Sequence, residues 1–80
     1  MVEYMRAFLE PFRTPPYTVE PAGSNWYRIS NTVSGFSAIV RGYRGEVQER
    51  VPDLDGSGWR WKLVSATHLQ ESLGICEERG

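Results

Sequence analysis

Apolar side chains recur at helical spacing near both ends of the sequence. Tyr4 and Phe8 are four residues apart, as are Met5 and Leu9, which predicts an N-terminal helix with one apolar stripe. A short strand is the alternative for this segment. Pro11 ends the helix, because the residue before a proline avoids the α region.

A second helix is predicted over residues 66–73. Ser65 suits its N-cap, Leu69 and Leu73 are four residues apart, and Gly74 suits the left-handed position after the last turn.

Between these helices the apolar positions alternate with polar ones, which is typical of strands with two different faces. Glycine, proline, asparagine and aspartate interrupt the alternation at turn positions. The predicted strands are 17–20, 26–30, 36–43, 46–51 and 59–64. The segment 13–16 is expected to be an extended connector, because paired prolines favour polyproline II geometry.

The pattern therefore predicts an α+β fold. Its centre is an antiparallel β-meander of four to five strands, since short loops favour sequential neighbours. A small open barrel is the alternative, and one or both helices would close an end or a face. The expected core residues are Tyr27, Ile29, Phe36, Ala38, Val40, Val47, Trp59, Trp61, Leu63, Leu69 and Leu73.

Composition limits the class of protein. Eighty residues, 40% of them apolar, suffice for a single small domain over 1–80. The net charge of −1 gives no global attraction to nucleic acid or to a membrane. No signal peptide and no apolar run of about 20 residues is visible. Cys76 is the only cysteine, so no internal disulfide can form, and a reducing, cytoplasmic setting is expected.

The residues that carry chemistry are too few for a catalytic or zinc site. His68 is the only histidine, and nothing in its spacing from Cys76 supplies the orienting third group that a Cys–His pair needs. A structural zinc site needs four ligands of these two types. We therefore expect no enzyme activity, no catalytic residues, no metal and no cofactor.

The loop 53–58 places Asp53, Asp55 and Ser57 at alternate positions before a glycine, as at the start of an EF-hand calcium loop. The bidentate glutamate expected at position twelve is Val64 instead. Turn chemistry is therefore the favoured interpretation of this loop, with calcium as the alternative.

Three segments alternate aromatic and cationic side chains, at 26–28, 41–44 and 59–62. Tryptophan, tyrosine and arginine are enriched at protein–protein hot spots. Eight of the nine basic residues are arginine, although a GC-rich coding sequence would give the same bias. The candidate binding residues are Trp26, Arg28, Arg41, Tyr43 and Arg60, with Asp53 and Asp55 as a rim loop.

Two other interpretations of these segments stay open. Aromatic platforms beside cationic side chains also bind single-stranded nucleic acid, although such proteins are usually more basic. In the second alternative Tyr27, Trp59 and Trp61 are core residues, and the arginines pair across strands with Glu46 and Glu49.

The strand-rich pattern resembles small SH3-like or OB-like barrels only at the level of fold, which does not carry function. Small chains without cofactor motifs also include phage-encoded inhibitors of host machinery, an analogy of size alone. The sequence predicts a non-catalytic protein-binding module, an inhibitor or an adaptor. Its partner is a protein, with single-stranded nucleic acid as the alternative, a homodimer left open and no membrane involved.

Overall fold

Five strands and two short helices make up most of residues 3–74, the part of the chain that the computed structural model describes. Helix α1 leads directly into a 3-10 turn, and α2 follows the last strand. In chain order the elements are α1 (Glu3–Leu9), the 3-10 turn (Glu10–Phe12), β1 (Tyr17–Gly23), β2 (Trp26–Asn31), β3 (Ser37–Tyr43), β4 (Glu46–Pro52), β5 (Trp59–Leu63) and α2 (Ala66–Gly74).

The strands form one antiparallel sheet in the order β1-β2-β3-β4-β5. Each strand pairs with its neighbours in sequence, and β1 and β5 are the two edges, so the sheet is an open meander and not a closed barrel. The tight reversal between β3 and β4 consists of Arg44 and Gly45, with φ values of 53° and 80°. Two central residues with positive φ match the twist of a two-residue hairpin. The predicted α+β meander with a helix at each end is confirmed.

Both helices cover the same face of the sheet. The buried side chains on this covered face come from α1 and its 3-10 turn, from alternate positions of β2, β3 and β4, and from α2. They are Met5, Phe8, Leu9, Phe12, Ile29, Ala38, Val40, Val47, Leu69 and Leu73. Because alternate strand residues point to opposite sides, the remaining positions face away from the helices.

Gly42 lets α1 approach β3 closely. A Cβ atom added at Gly42 would lie 2.8 Å from Cγ of Met5 and 3.0 Å from the hydroxyl of Tyr4. The absence of a side chain at this position of β3 is therefore what makes room for the N-terminal helix.

Asn31 joins the end of β2 to the last turn of α2. It is the buried polar residue of the core, with 2% of its surface exposed. Its Oδ1 accepts hydrogen bonds from the N–H groups of Val33 and Ser34, at 2.9 and 3.1 Å. Its Nδ2 donates to the carbonyl of Leu73 at 3.5 Å. Ser34 also donates its hydroxyl to that carbonyl, so the β2–β3 loop holds the end of α2 against the sheet.

Three residues expected in the core are exposed: 62% of Trp59, 60% of Leu63 and 41% of Phe36. The prediction was wrong for Phe36, which lies in the β2–β3 loop, one residue before β3 begins. It was wrong for β5 because its apolar residues share a face with Arg50 and Gln48 of β4, opposite the helices. Trp61 is half-buried, but on this outer face.

Two local predictions also need correction. The segment 13–16 is not an extended polyproline connector: Tyr17 donates its N–H to the carbonyl of Thr14 at 3.0 Å, around a cis Pro15–Pro16 peptide bond. Strand β1 does not end at Glu20 as predicted but continues to Gly23, with an irregularity in pairing between Pro21 and Gly23. Cys76, the basis of the redox prediction, lies outside the described residues.

Candidate binding surface

The face of the sheet opposite the helices carries aromatic and arginine side chains together. The pairing registers place the alternate residues of β2 to β5 on it. We call this surface the open face, and it consists of Trp26, Arg28, Ile39, Arg41, Tyr43, Gln48, Arg50, Trp59, Trp61 and Leu63. Four of the predicted binding residues, Trp26, Arg28, Arg41 and Tyr43, are therefore brought to one surface.

Two tryptophans from distant strands meet at the centre of the open face. The ring centroids of Trp26 and Trp61 are 5.1 Å apart, with an interplanar angle of 69°. Because β3 and β4 separate their strands, the two indoles lean toward each other across the sheet. This contact leaves both tryptophans half-buried without any contribution from a helix.

Arg41 lies against this tryptophan pair in a fixed orientation. Its guanidinium carbon is 4.2 Å from the ring centroid of Trp61, which is the geometry of a cation–π contact. Its Nε donates to Oε1 of Gln48 at 2.8 Å. A guanidinium has five N–H donors, and within residues 3–74 this is the single hydrogen bond of the Arg41 side chain. Arg41 is thus positioned by packing, with donors left for a ligand.

The remaining aromatic rings of the open face also contact arginines. Tyr43 has the guanidinium carbon of Arg41 at 4.9 Å from its centroid and that of Arg44 at 5.2 Å. Trp59 has that of Arg50 at 4.7 Å. Arginine therefore restricts three of the four aromatic rings on this surface.

The open face exposes large apolar side chains that no element of the described chain covers. The exposed fractions are 62% for Trp59, 60% for Leu63 and 45% for Tyr43. Isolated exposed apolar residues are ordinary in soluble proteins, but a contiguous group with arginine is typical of an interaction surface. Ile39, in the middle of the face, is half-buried and extends the group.

The arginines of this surface have no acidic partners in the structure. In the described part of the chain the one ion pair joins Arg60 to Asp53, at 3.9 Å, and it involves neither Glu46 nor Glu49. The alternative in which the arginines are paired with these two glutamates is therefore wrong. Three arginines, Arg28, Arg41 and Arg50, share this side of the sheet with Glu20 and Glu46, which leaves an excess of positive charge.

A shallow depression of about 240 Å³ lies at one end of the open face. Arg28 and Arg50 border it from β2 and β4, on either side of Ile39, and Ser37 and Trp59 complete its wall. Its lining combines two cationic groups, a hydroxyl and an apolar floor.

The other three predicted binding residues lie away from the open face. Arg60 points to the helical side of β5, where its Nε is 3.9 Å from Oδ1 of Asp53. Asp55 is in the β4–β5 loop and accepts a hydrogen bond from the N–H of Ser57 at 2.9 Å. That hydrogen bond lowers the pKa of Asp55, with a smaller contribution from the Ser57 hydroxyl. Gly56, with a φ of 75°, completes a hairpin loop.

The sequence patterns did not identify several residues of this surface. Ile39, Arg50, Trp59, Trp61 and Leu63 belong to it, although three of these were expected in the core and the others were not selected. A usable signal was present in β5, where the strand has an aromatic and apolar side and a cationic side. Assigning the aromatic side to the core was the error.

Chemical sites other than this surface are sparse in the described chain. Residues 3–74 contain no group of three or more histidine, cysteine, aspartate or glutamate side chains placed to hold a metal ion. His68 is exposed, and its N–H is capped by Oγ of Ser65 at 3.1 Å. Neither helix of residues 3–74 is long and apolar enough to cross a membrane.

Comparison of the chain with models of protein families, with curated proteins and with solved structures gave no match.

Proposed function

We propose that this chain is a non-catalytic protein-binding module that acts through the open face of its sheet. The proposal rests on the arrangement of Arg41, Trp26 and Trp61, in which a half-buried cation lies over the ring of Trp61 and that ring packs edge-on against Trp26. A few residues supply most of the binding energy at protein interfaces, and tryptophan, tyrosine and arginine are enriched among them. An arrangement already ordered in the free protein loses little side-chain entropy when a partner binds.

The exposure of each side chain indicates how much it would contribute to the affinity for a partner. Trp26, Arg41 and Trp61 form the centre of the surface and are half-buried before any partner binds. Tyr43 and Trp59 extend from this centre toward opposite ends and keep large exposed areas. The exposed aromatic rings would lose the most apolar surface on binding, so we expect them to contribute most to affinity.

A protein partner suits this surface better than single-stranded nucleic acid does. Bases bind by stacking on free aromatic ring faces. Guanidinium groups already lie over Tyr43, Trp59 and Trp61, at 4.2 to 5.2 Å from the ring centroids. The net charge of −1 is also low for a nucleic-acid-binding domain. Binding of single-stranded nucleic acid is therefore the alternative, and the oligonucleotide titration described below tests it.

The module would act as an inhibitor or an adaptor, because its chemistry offers contact area and hydrogen-bond donors without a catalytic group. A cytoplasmic location and the absence of a membrane partner stay predictions of the same proposal. A homodimer through the open face would place arginines of one copy against arginines of the other, which is unfavourable without intervening acids.

Affinity capture from cells of the native host, read by mass spectrometry, tests the proposal. The bait proteins are the wild type, the double variant Arg41→Glu/Tyr43→Ala and a control, Arg13→Glu, on the exposed segment after the 3-10 turn. We expect the double variant to lose a protein that the wild type and Arg13→Glu both recover. Recovery of the same proteins by all three folded baits would contradict the proposal.

A titration with labelled single-stranded and duplex oligonucleotides at low salt separates the nucleic-acid alternative. We expect no binding at tens of micromolar protein. Saturable single-strand binding that weakens by about 1–3 kcal/mol in Trp59→Ala would replace the protein-binding proposal with base stacking.

A further inference from the structure

The outer edge of β5 presents unpaired backbone groups. The residues that adjoin its two ends, Gly58 and Val64, are both hydrogen-bonded toward β4. Val64 donates its N–H to the carbonyl of Val47, and the carbonyl of Gly58 accepts the N–H of Asp53. In an antiparallel ladder, hydrogen-bonded residue pairs alternate with pairs whose N–H and C=O groups point away from each other. With the register between β4 and β5, Arg60 and Lys62 therefore bond to β4.

The other three residues of β5, Trp59, Trp61 and Leu63, consequently direct their N–H and C=O groups to the outside of the sheet. Within residues 3–74 none of these groups has a hydrogen-bond partner. These residues are two apart along β5, which is the spacing at which an added antiparallel strand forms its backbone hydrogen bonds.

The backbone of the opposite edge blocks strand addition, whereas the backbone of this edge does not. Strand β1 contains Pro21, and its pairing is irregular between Pro21 and Gly23. Proline and bulges are the usual means by which edge strands avoid pairing with another chain. Strand β5 has neither, from Trp59 to Leu63. Only the charges of Arg60 and Lys62 restrict what can pair with it.

Those charges also define the chemistry of an added strand. Arg60 and Lys62 are exposed and project from one side of β5, while Trp59, Trp61 and Leu63 project from the open face. An added strand places its own alternate side chains beside these two rows, and opposite charges directly across a pair of strands are favourable. Two acidic residues at two-residue spacing, with apolar residues between and beside them, complement both rows at once.

We propose that β5 binds an extended segment of a partner protein in which acidic and apolar residues alternate, and that this segment becomes a sixth strand of the sheet. The inference rests on the proposed protein-binding function and names the chemistry of the partner. Backbone hydrogen bonds to Trp59, Trp61 and Leu63 would supply affinity. Pairing of acids with Arg60 and Lys62 would supply specificity and register.

A second copy of this chain does not fit the edge. Antiparallel pairing of two β5 strands about Trp61 places Arg60 of one copy opposite Lys62 of the other, twice. Like charges directly opposite each other destabilise a strand pair. The ion pair with Asp53 does not neutralise this repulsion, because at 3.9 Å and partly exposed it is weak.

The test uses a capped seven-residue peptide in which two glutamates alternate with three apolar residues, flanked by threonines. Amide hydrogen exchange of the full chain is measured with and without the peptide. The amides of Trp59, Trp61 and Leu63 should exchange fast in the free protein and become protected by the peptide. Fast exchange that persists at saturating peptide would overturn the inference, as would protection already present in the free protein.

Variants of the peptide and the chain separate strand addition from general adhesion. N-methylation of the central apolar residue of the peptide removes a donor to Trp61 and should abolish protection. The variant Arg60→Glu/Lys62→Glu should bind the glutamate peptide at least about tenfold more weakly and should prefer a peptide with lysines at those positions. Arg6→Glu/Arg13→Glu changes the net charge equally at exposed residues outside the sheet, and should bind like the wild type.

Equal loss of binding in both charge variants would show a long-range charge effect and overturn the inference. Leu63→Pro provides a further variant, because it removes one outward N–H while the N–H groups that bond to β4 remain. This variant should weaken peptide binding while the thermal transition persists; unchanged peptide binding would overturn the inference. If the edge fails these tests while Arg41→Glu/Tyr43→Ala still loses a captured protein, the inference is wrong and the proposed function stands.

Discussion

The guanidinium of Arg41 connects Trp61, two strands away, with Tyr43 on its own strand. Its carbon lies 4.2 Å from the ring centroid of Trp61 and 4.9 Å from that of Tyr43. Gln48, on the intervening strand, fixes the guanidinium through a 2.8 Å hydrogen bond. One cation thereby links two aromatic side chains on the side of the sheet opposite α1 and α2.

A double-mutant cycle measures the contact between Arg41 and Trp61. We expect Arg41→Met and Trp61→Leu to be coupled by about 0.5–1 kcal/mol in the free energy of unfolding, because the cation–π attraction is lost once either partner is replaced. The matched control pairs Arg28→Met with Trp61→Leu, since Arg28 makes no cation–π contact within residues 3–74. Coupling in the Arg41 cycle no larger than in the control cycle would contradict this account.

Gly42→Ala should destabilise the fold by about 1–3 kcal/mol, because the new methyl group overlaps Met5 where α1 crosses β3. Urea unfolding provides the measurement. Gly58→Ala is the control: its added Cβ would have its nearest neighbour, Oδ2 of Asp53, at an ordinary 3.8 Å. If both alanine variants unfold at the same urea concentration, helix α1 does not pack on β3 as described.

Asn31→Ala should cost about 1–3 kcal/mol of stability. The substitution removes the acceptor for the N–H groups of Val33 and Ser34 and one of the two side-chain donors to the carbonyl of Leu73, and the lost hydrogen bonds are not replaced. Ser37→Ala, on the exposed first residue of β3, should change the midpoint of thermal unfolding very little. A smaller loss for Asn31→Ala than for Ser37→Ala would show that Asn31 does not join the loop to α2.

Ser65→Ala should lower stability by about 1 kcal/mol, because the Ser65 hydroxyl accepts the N–H of His68 at the start of α2. Thr67→Ala, an exposed change inside the first turn of the helix, is the matched comparison. Circular dichroism during urea unfolding measures both variants. Equal stability of Ser65→Ala and the wild type would mean that the N-cap hydrogen bond is unimportant.

The sequence predicted the elements well because their signals are local. Alternation in β3 and β4, the arginine–glycine reversal between them and the serine cap of α2 each act within a few residues. The sequence predicted less well which side chains of a strand face the core, because this depends on how the strand pairs with other strands and on which side the helices pack. In β5 both assignments satisfy the alternation.

The composition of the core shows why the aromatic side of β5 was wrongly predicted to be buried. Met5, Phe8, Leu9 and Phe12 follow one another from the N-terminal helix into the 3-10 turn, and all four are buried on the covered face. These side chains fill the space that Trp59, Trp61 and Leu63 were expected to occupy. Four residues of the open face were nevertheless predicted from the sequence, because Trp26 and Arg28, like Arg41 and Tyr43, are two residues apart and so share one side of their strand.

Photo-cross-linking from single positions tests whether the open face is the surface that binds a host protein. Benzoylphenylalanine placed at Tyr43 or Trp59 keeps an aromatic ring on the open face, and the same group at Glu10 or Arg13 lies on the exposed segment beyond α1. The account predicts that one host protein is cross-linked from Tyr43 and Trp59 and not from Glu10 or Arg13. Cross-links to host proteins that form only from Glu10 and Arg13, or equally from all four positions, would contradict it.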